Sequence, residues 1–569
     1  MYYFAIGNLS ALASPLGERF KISELTLPIV QDLHPNQTVP DAEDLPGVCL
    51  PYQRLNAYRW AIPEVYACLP TAAGGSKDPC ILLSNAAISE NGVSWPSLPE
   101  SWPKTSLLAQ IGWLAQISRL WDACKQENVV TSLLNLNNIA VQGWQIRLYK
   151  LESGQTKSSL QDLGSSLQTL PSIYPQLSKL IDSLAAGQFP TAIDLEEALE
   201  IMALQVSGGR VLDCTSKTHP GRRANNEDFY EARGRFAIVC DGMGGHEGGE
   251  IASRMAVESM DQDLKTFVEQ GYSPSTLRKA LLECVHRANQ GILEVNQSQQ
   301  RIGVGQMGTT VVAYFLDGPL LHIAHAGDSR IYLINHQHCQ QITVDQDIAN
   351  REMSLAHLTA SAADSMLGGG TLTQAVGILN RNSFQPIAQT FVLSEACLIL
   401  LCSDGFCDGD LVENTWRQEL LPLLDTSLQE RSQGLIDLAL RELGHDNITF
   451  VILKFAPDQP MPKAMQVAVE LPTLPQSAPT SIPQRLEAPA QSPASRLVVG
   501  GLVGLVATAS VAGFFLYTQQ QKAANIQPSS ASVPTSTIPA SPPNAKSIPD
   551  ATSLTSKPII RTTTKKPAP

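Results

Sequence analysis

One stretch, Phe236 to Glu250, constrains what this chain can fold into more than any other. It runs Phe-Ala-Ile-Val-Cys-Asp-Gly-Met-Gly-Gly-His-Glu-Gly-Gly-Glu, an apolar run that ends in a carboxylate and then in glycines. That pattern predicts a buried strand, a glycine-rich turn and the start of a helix. An Asp delivered by the end of an apolar strand is rigidly held, and the bare turn lets a backbone carbonyl approach an ion closely. Carboxylate and carbonyl oxygens are the ligands that hard cations prefer, so Asp241 and Gly242 are candidates to hold one.

At 569 residues the chain is too long for one core and predicts several domains. Its formal net charge of -13 argues against nucleic acid as a partner. The 11 cysteines are scattered and form no CxxC pair, which predicts buried free thiols in a reducing compartment. Residues 1–205 are weakly patterned and read as an accessory α/β or α+β domain, open to a partner or ligand of its own. A helix is expected over Leu107 to Cys124, where Leu108, Ile111, Leu114, Ile117 and Leu120 recur at helical spacing. After it, Val129 to Val141, a Gly143 turn and Trp144 to Leu151 resemble the catalytic-loop region of a protein kinase. Leu133 and Tyr149 stand where a kinase needs carboxylates and only Asn138 matches, so the resemblance implies a degenerate lobe without phosphotransfer. An unrelated accessory domain is the equal alternative.

Residues 208–457 carry the densest signals. Two amphipathic helices are expected, with Ala252, Met255, Ala256, Met260, Leu264 and Phe267 on one face and Leu277, Leu281, Val285, Ala288, Ile292 and Val295 on the other. Strands follow at Thr310 to Phe315, Leu320 to Ala326, Arg330 to Asn335, Cys397 to Cys402 and Ile448 to Phe455, with an Asp317-Gly318 hairpin turn. Strands, a helix pair and more strands predict an α+β sandwich with two sheets inside and helices outside. Glu227 and Asp228, Asp241, Asp328, Asp404 and Asp446 each abut an apolar strand and would share the rim of those sheets. Any one alone reads as a solvated turn. Gathered together they repel and require cations, and without His or Cys at ligand spacing those would be magnesium or manganese.

The motifs RANNED (223–228), CDGMGGHEGG (240–249), GTT (308–310), AGDSRIY (326–332), SDGFCD (403–408) and HDNIT (445–449) resemble the PPM family, the type-2C metal-dependent protein serine/threonine phosphatases, in bacterial form. The resemblance covers residues 208–457 and implies a four-layer αββα sandwich. It implies two Mn2+ or Mg2+ ions: Asp241 bridges them, Glu227 and the Gly242 carbonyl complete one shell, and Asp404 and Asp446 serve the other. A third ion is expected at Asp328. Arg223 would grip the substrate phosphate, Asp228 and Asn447 would orient ligands or water, and a hydroxide bridging the two ions would attack phosphorus. Met243 stands where eukaryotic members carry a His, and His246 is a candidate substitute. Residues Asp345 to Gly377 would form a flap that bears on substrate choice, with Gly368 to Gly370 as its mobile point.

Residues 458–496 read as a Pro- and Ala-rich linker, and 518–569 as a disordered Ser/Thr/Pro-rich tail. Between them Leu497 to Tyr517 has no charge and is long enough to span a bilayer, with a buried soluble helix as the alternative. The expected protein is a single-pass, membrane-anchored phosphatase of phosphoserine and phosphothreonine proteins, with residues 1–495 in the cytoplasm. The rival readings are a catalytically silent membrane scaffold and a hydrolase of small phosphoesters.

Overall fold

The computed structural model describes residues 1–458, apart from 13–18, 25–27, 36, 38, 40–44, 70–78, 155–156, 173, 245–247 and 270–271. The expected linker (beyond Asp458), the span 497–517 and the tail 518–569 lie outside the described residues, as does His246. Among the described residues no helix is long and apolar enough to cross a membrane.

The N-terminal region opens with β1 (Tyr2–Gly7), β2 (Phe20–Glu24), β3 (Ile29–Asp32), α1 (Leu50–Arg54), β4 (Glu64–Leu69) and β5 (Cys80–Ser84). Its five strands form an antiparallel sheet in the order β2-β3-β1-β5-β4. Then come α2 (Leu98–Ser101), α3 (Leu107–Gln126), α4 (Thr131–Leu134), the hairpin β6 (Ile139–Gln142) and β7 (Gln145–Leu148), α5 (Leu160–Leu167), α6 (Pro175–Ala185) and α7 (Ala192–Val206). The predicted helix, loop, strand, Gly143 turn and strand are thus present. Leu133 is wholly buried, Tyr149 is buried with its hydroxyl on the Trp95 carbonyl, and the Asn138 amide donates to the Ser132 and Lys150 carbonyls at 3.2 and 2.9 Å. All three hold the core together, and none is placed as a catalytic group.

The second half contains β8 (Gly209–His219), β9 (Asp228–Ala232), β10 (Phe236–Met243), α8 (Gly248–Glu269), α9 (Pro274–Ser298), β11 (Gly308–Thr309), β12 (Val311–Asp317), β13 (Leu320–Ala326), β14 (Arg330–Ile334) and β15 (Cys339–Gln341). It continues with α10 (Ile348–Ser354), α11 (Ala360–Asp364), β16 (Ile387–Val392), β17 (Cys397–Cys402), α12 (Asp404–Cys407), α13 (Leu411–Glu419), α14 (Leu428–Glu442) and β18 (Ile448–Pro457). One antiparallel sheet runs β11-β10-β12-β13-β16 with β9 beside β10, and the other runs β15-β14-β17-β18-β8. Strand alternation assigns the layers. Ala237 and Val239 join the core between the sheets, whereas Phe236, Ile238 and Cys240 pack with α8 and α9. In the second sheet Ile399 and Leu401 face inward, and Leu398, Leu400 and Cys402 pack with α12, α13 and α14. This is the expected αββα sandwich. Cys240 is fully buried and burial pushes its thiol up, so it has no nucleophilic role.

The accessory region is less separate than predicted. The described residues fall in one compact unit, and its core runs without a break from α3, α7 and the β6–β7 hairpin into the sandwich. Trp60 meets Phe391 edge-on at 5.5 Å between ring centroids and donates Nε1 to Gln389 at 3.1 Å. The boundary near 205–208 is a change of sheet within a shared core.

Candidate active site: a rim of partly buried carboxylates

Asp241 lies in β10, opposite Asp228 of β9. Its backbone is pinned on both sides. The Thr310 amide and the Thr309 hydroxyl each donate to its carbonyl at 2.8 Å, and its own amide donates to Thr310 Oγ1 at 3.0 Å. A Cβ added at Gly242 would stand 2.2 Å from the Gly249 carbonyl oxygen and 2.7 Å from that of Glu227, so only glycine lets these three segments meet. Glu227 is tied down as well: its amide donates to Asn447 Oδ1 at 2.7 Å, and its carbonyl accepts from Ser253 Oγ at 2.6 Å and from the Gly242 amide at 3.2 Å.

Asn447 crosses the site a second time, donating Nδ2 to the Pro220 and Asn225 carbonyls at 3.0 and 2.9 Å. Asp446 accepts the Asn447 amide on Oδ1 at 2.8 Å, and its Oδ2 meets Arg223 Nη2 at 2.6 Å. Arg223 also donates Nε to the His445 carbonyl at 3.3 Å, and its side chain remains 56% exposed, open to an arriving anion. Asp404 opens α12 directly after β17, and Asp328 sits in the β13–β14 turn after Gly327.

The electrostatics tie these groups together. Burial drives Asp241 well above the usual carboxylate range, and Asp228, Asp404 and Asp328 reinforce it. Asp404 raises Asp241, and burial, with Asp446 adding, raises Asp404. Asp328 is also driven well up, by burial and then by Asp404, Asp345 and Asp408. Burial carries Asp228 to about 7 against hydrogen bonds from Ser403 and Thr449. Glu227 is raised by burial, with Arg223 opposing and Asp446 and Glu250 adding. Every group is penalised for its charge, and at Asp241 all the leading influences act upward.

Two buried oxygens, Asp228 Oδ1 and Asp404 Oδ1, have no hydrogen-bond partner among the described residues. Oxygens left bare beside mutually repelling carboxylates suit a hard divalent cation. Among the described residues no three His, Cys, Asp or Glu stand as ligands around one point.

Four participants were not assigned from the sequence. Ser403 donates Oγ to Asp228 Oδ2 at 2.8 Å and accepts the Thr449 amide at 3.0 Å, linking β17, β9 and β18. Asp408, one helical turn after Asp404, is raised to about 6 by burial and by Asp404. Its place in SDGFCD, at i+4 from Asp404, was the available signal. Thr309 and Thr310 stood in the GTT motif, but their hold on Asp241 depends on a pairing visible only in the folded chain.

Residues 216–440 match the family model described as Protein phosphatase 2C. A putative protein phosphatase 2C-type protein of Streptococcus pyogenes is 33% identical over 241 residues, which cover 41% of this chain and 92% of that protein. Protein phosphatase PhpP of Streptococcus pneumoniae is 29% identical over 243 residues, 41% of this chain and 92% of that one. A crystal structure of the catalytic domain of the serine threonine protein phosphatase PstP in complex with 2 manganese ions shares 27% identity. It covers 44% of this chain and 99% of that one, with a TM-score of 0.36. Through its C-terminal sandwich this chain belongs to the protein phosphatase 2C family and is a phosphoric monoester hydrolase.

Proposed function

We propose that the chain hydrolyses phosphoserine and phosphothreonine in proteins, with Glu227, Asp241, Asp404 and Asp446 as the carboxylates that serve the reaction. The observation that carries this reading is a cluster of partly buried carboxylates that raise one another, with two bare oxygens, Asp228 Oδ1 and Asp404 Oδ1. Asp241, Glu227 and the Gly242 carbonyl would hold one Mn2+ or Mg2+ ion and Asp404 and Asp446, with Asp241, a second. Asp328 would contribute to a third. When bound, such ions activate water for in-line attack and neutralise phosphoryl charge. The chain's own part is positioning. Arg223 offers an exposed guanidinium to the phosphate oxygens and would exchange its contact with Asp446 for the substrate anion. Asn447 and Ser403 keep Glu227 and Asp228 from turning away.

The test is phosphate release from p-nitrophenyl phosphate and from a phosphothreonine peptide, with manganese and after chelation. We expect release from both with manganese and a loss of about a hundredfold or more on chelation. Undiminished release in chelator would reject the cation site. Bound manganese with no release from either substrate would favour a silent scaffold.

We further propose that residues 497–517 anchor the protein in a membrane as a single pass, with residues 1–495 on the cytoplasmic side. The support is an uncharged apolar run of spanning length, together with eleven cysteines that all stand as free thiols. Deleting 497–517 should move the protein from the membrane pellet to the supernatant. An unchanged partition would exclude the anchor.

A further inference from the structure

The segment from Asp345 to Gly377 is bonded to the site at both of its ends. At one end the Gln346 amide donates to the Gly327 carbonyl and the Gly327 amide to Gln346 Oε1, both at 3.0 Å, next to Asp328. At the other, Val376 and Thr309 exchange backbone hydrogen bonds at 2.8 and 3.0 Å, and Thr309 holds the Asp241 carbonyl. Between these ends the segment carries only α10, of 7 residues, and α11, of 5. Helices that short do not hold themselves in water and need a surface to pack on. Leu355 and Leu367, just past the ends of α10 and α11, find no such cover and are 55% and 99% exposed.

The surface they use belongs to the N-terminal region. The turn of α1 and the 3-10 turn Asn56–Tyr58 lie against α10, and β4 lies against α11. Gln53, itself buried, donates Nε2 to the Leu358 carbonyl between the two short helices at 2.8 Å. Buried Asn56 donates to Asn350 Oδ1 at 3.5 Å. Asn350 in turn donates its amide and its Nδ2 to Asp347 Oδ1 at 2.7 and 3.0 Å, and Asp347 adjoins Gln346. The Arg59–Glu64 ion pair, 2.9 Å long, adds charge opposite the same segment, since Arg59 feels Asp345 and Asp364 feels both members. A short bonded path therefore leads from Asn56 through Asn350, Asp347 and Gln346 to the backbone beside Asp328, and Gln53 holds the same segment at Leu358.

We propose that residues 50–69 are the seat of the 345–377 flap, and that Gln53 and Asn56 are positioning residues for protein substrates. The proposal deepens the phosphatase reading and rests on it. A flap held at this seat presents one surface to a phosphoprotein. A small phosphoester reaches the carboxylate rim without touching that surface.

The experiment uses the full chain with Gln53→Ala, Asn56→Ala and, breaking the same link from the flap side, Asn350→Ala. Three readouts are taken: amide hydrogen exchange over 348–364, and kcat and KM on p-nitrophenyl phosphate and on a phosphothreonine peptide. Exchange over 348–364 should rise by about tenfold, the loss of roughly one hydrogen bond's protection. KM for the peptide should rise about fivefold while kcat on p-nitrophenyl phosphate stays within about twofold. Unchanged exchange would overturn the seat. Equal losses on both substrates, or no change on the peptide, would overturn the positioning role while leaving the phosphatase reading intact. A wild-type chain inactive on both substrates would overturn the phosphatase reading and the positioning role with it, and the exchange data would still decide the seat. Should Gln53→Ala fail to fold, Asn350→Ala decides the seat and the positioning role by the same measurements.

Discussion

Replacing Asp241 by Asn is expected to cut phosphate release by at least about a thousandfold, ~4 kcal/mol of transition-state stabilisation. The substitution keeps the shape of the side chain and removes only its charge, so the Thr309 and Thr310 contacts to the backbone at this position should persist. What disappears is the carboxylate that faces Asp228, Asp404 and Asp328 at once. The same removal relieves repulsion in a buried site, so the variant without added metal should melt at a higher temperature than wild type. Wild type should gain ~2.7 kcal/mol in manganese at a hundredfold over its dissociation constant, and the variant distinctly less. Activity lost, metal-free stability gained and metal stabilisation diminished are three readouts with one cause. A variant that keeps a tenth of wild-type activity, or melts earlier without metal, would show that Asp241 is not the shared ligand.

The features read correctly from the sequence are those in which one short stretch settles its own environment. Phe236 to Cys240 is apolar on both faces because it is covered on both, and it folds as the buried strand expected of it. The helix faces headed by Ala252 and Leu277 follow helical spacing and lie on the sandwich. By contrast β8, at the sheet edge, intersperses Arg210, Asp213 and Lys217 among mostly partly buried neighbours, and it showed no apolar run to detect. The N-terminal strands run only four to six residues, too short for periodicity to separate them from loop. The site divides in the same way. Strand-end carboxylates were visible one by one, but the bond from Asn447 to Glu227 joins residues 220 apart and belongs to the fold alone. The shared core had no local signature either, since Trp60 and Phe391 reveal their partnership only when they meet.

That shared core contains a charged network whose removal should be the costliest change outside the site. Arg278 of α9 donates Nη1 to Glu196 Oε1 at 3.1 Å, to Glu200 Oε1 at 2.8 Å and to Thr390 Oγ1 at 3.0 Å. Arg119 of α3 meets the same two carboxylates at 2.5 and 3.6 Å, so two guanidiniums balance two glutamates of α7. Glu200 is wholly buried. Arg278→Ala leaves two carboxylates with one cation in low dielectric, which costs about 3–5 kcal/mol, read as a fall of roughly 4 °C in Tm. Arg278→Lys should restore part of it.

The pH dependence identifies the cause. In the intact protein burial raises Glu200 to about 7, with Arg278 and Arg119 opposing and Glu196 adding. Burial also acts upward on Glu196, but the two guanidiniums outweigh it and hold that group below its ordinary value. A carboxyl raised in the folded state stabilises below its unfolded value and loses that contribution as pH rises through its folded value. Losing Arg278 sends both glutamates upward, so the folded variant holds protons that the unfolded chain has released over a wider range, and its stability falls further than that of wild type as pH rises from 5.5 to 8. His322 of β13, which shares Thr390, is held near 3 by burial and both arginines and stays neutral across this range. The Tm deficit of Arg278→Ala should therefore be larger at pH 8 than at pH 5.5. Equal deficits at the two pH values would mean that the loss is one of packing, and that the joint between the N-terminal region and the phosphatase sandwich is held by apolar contact alone.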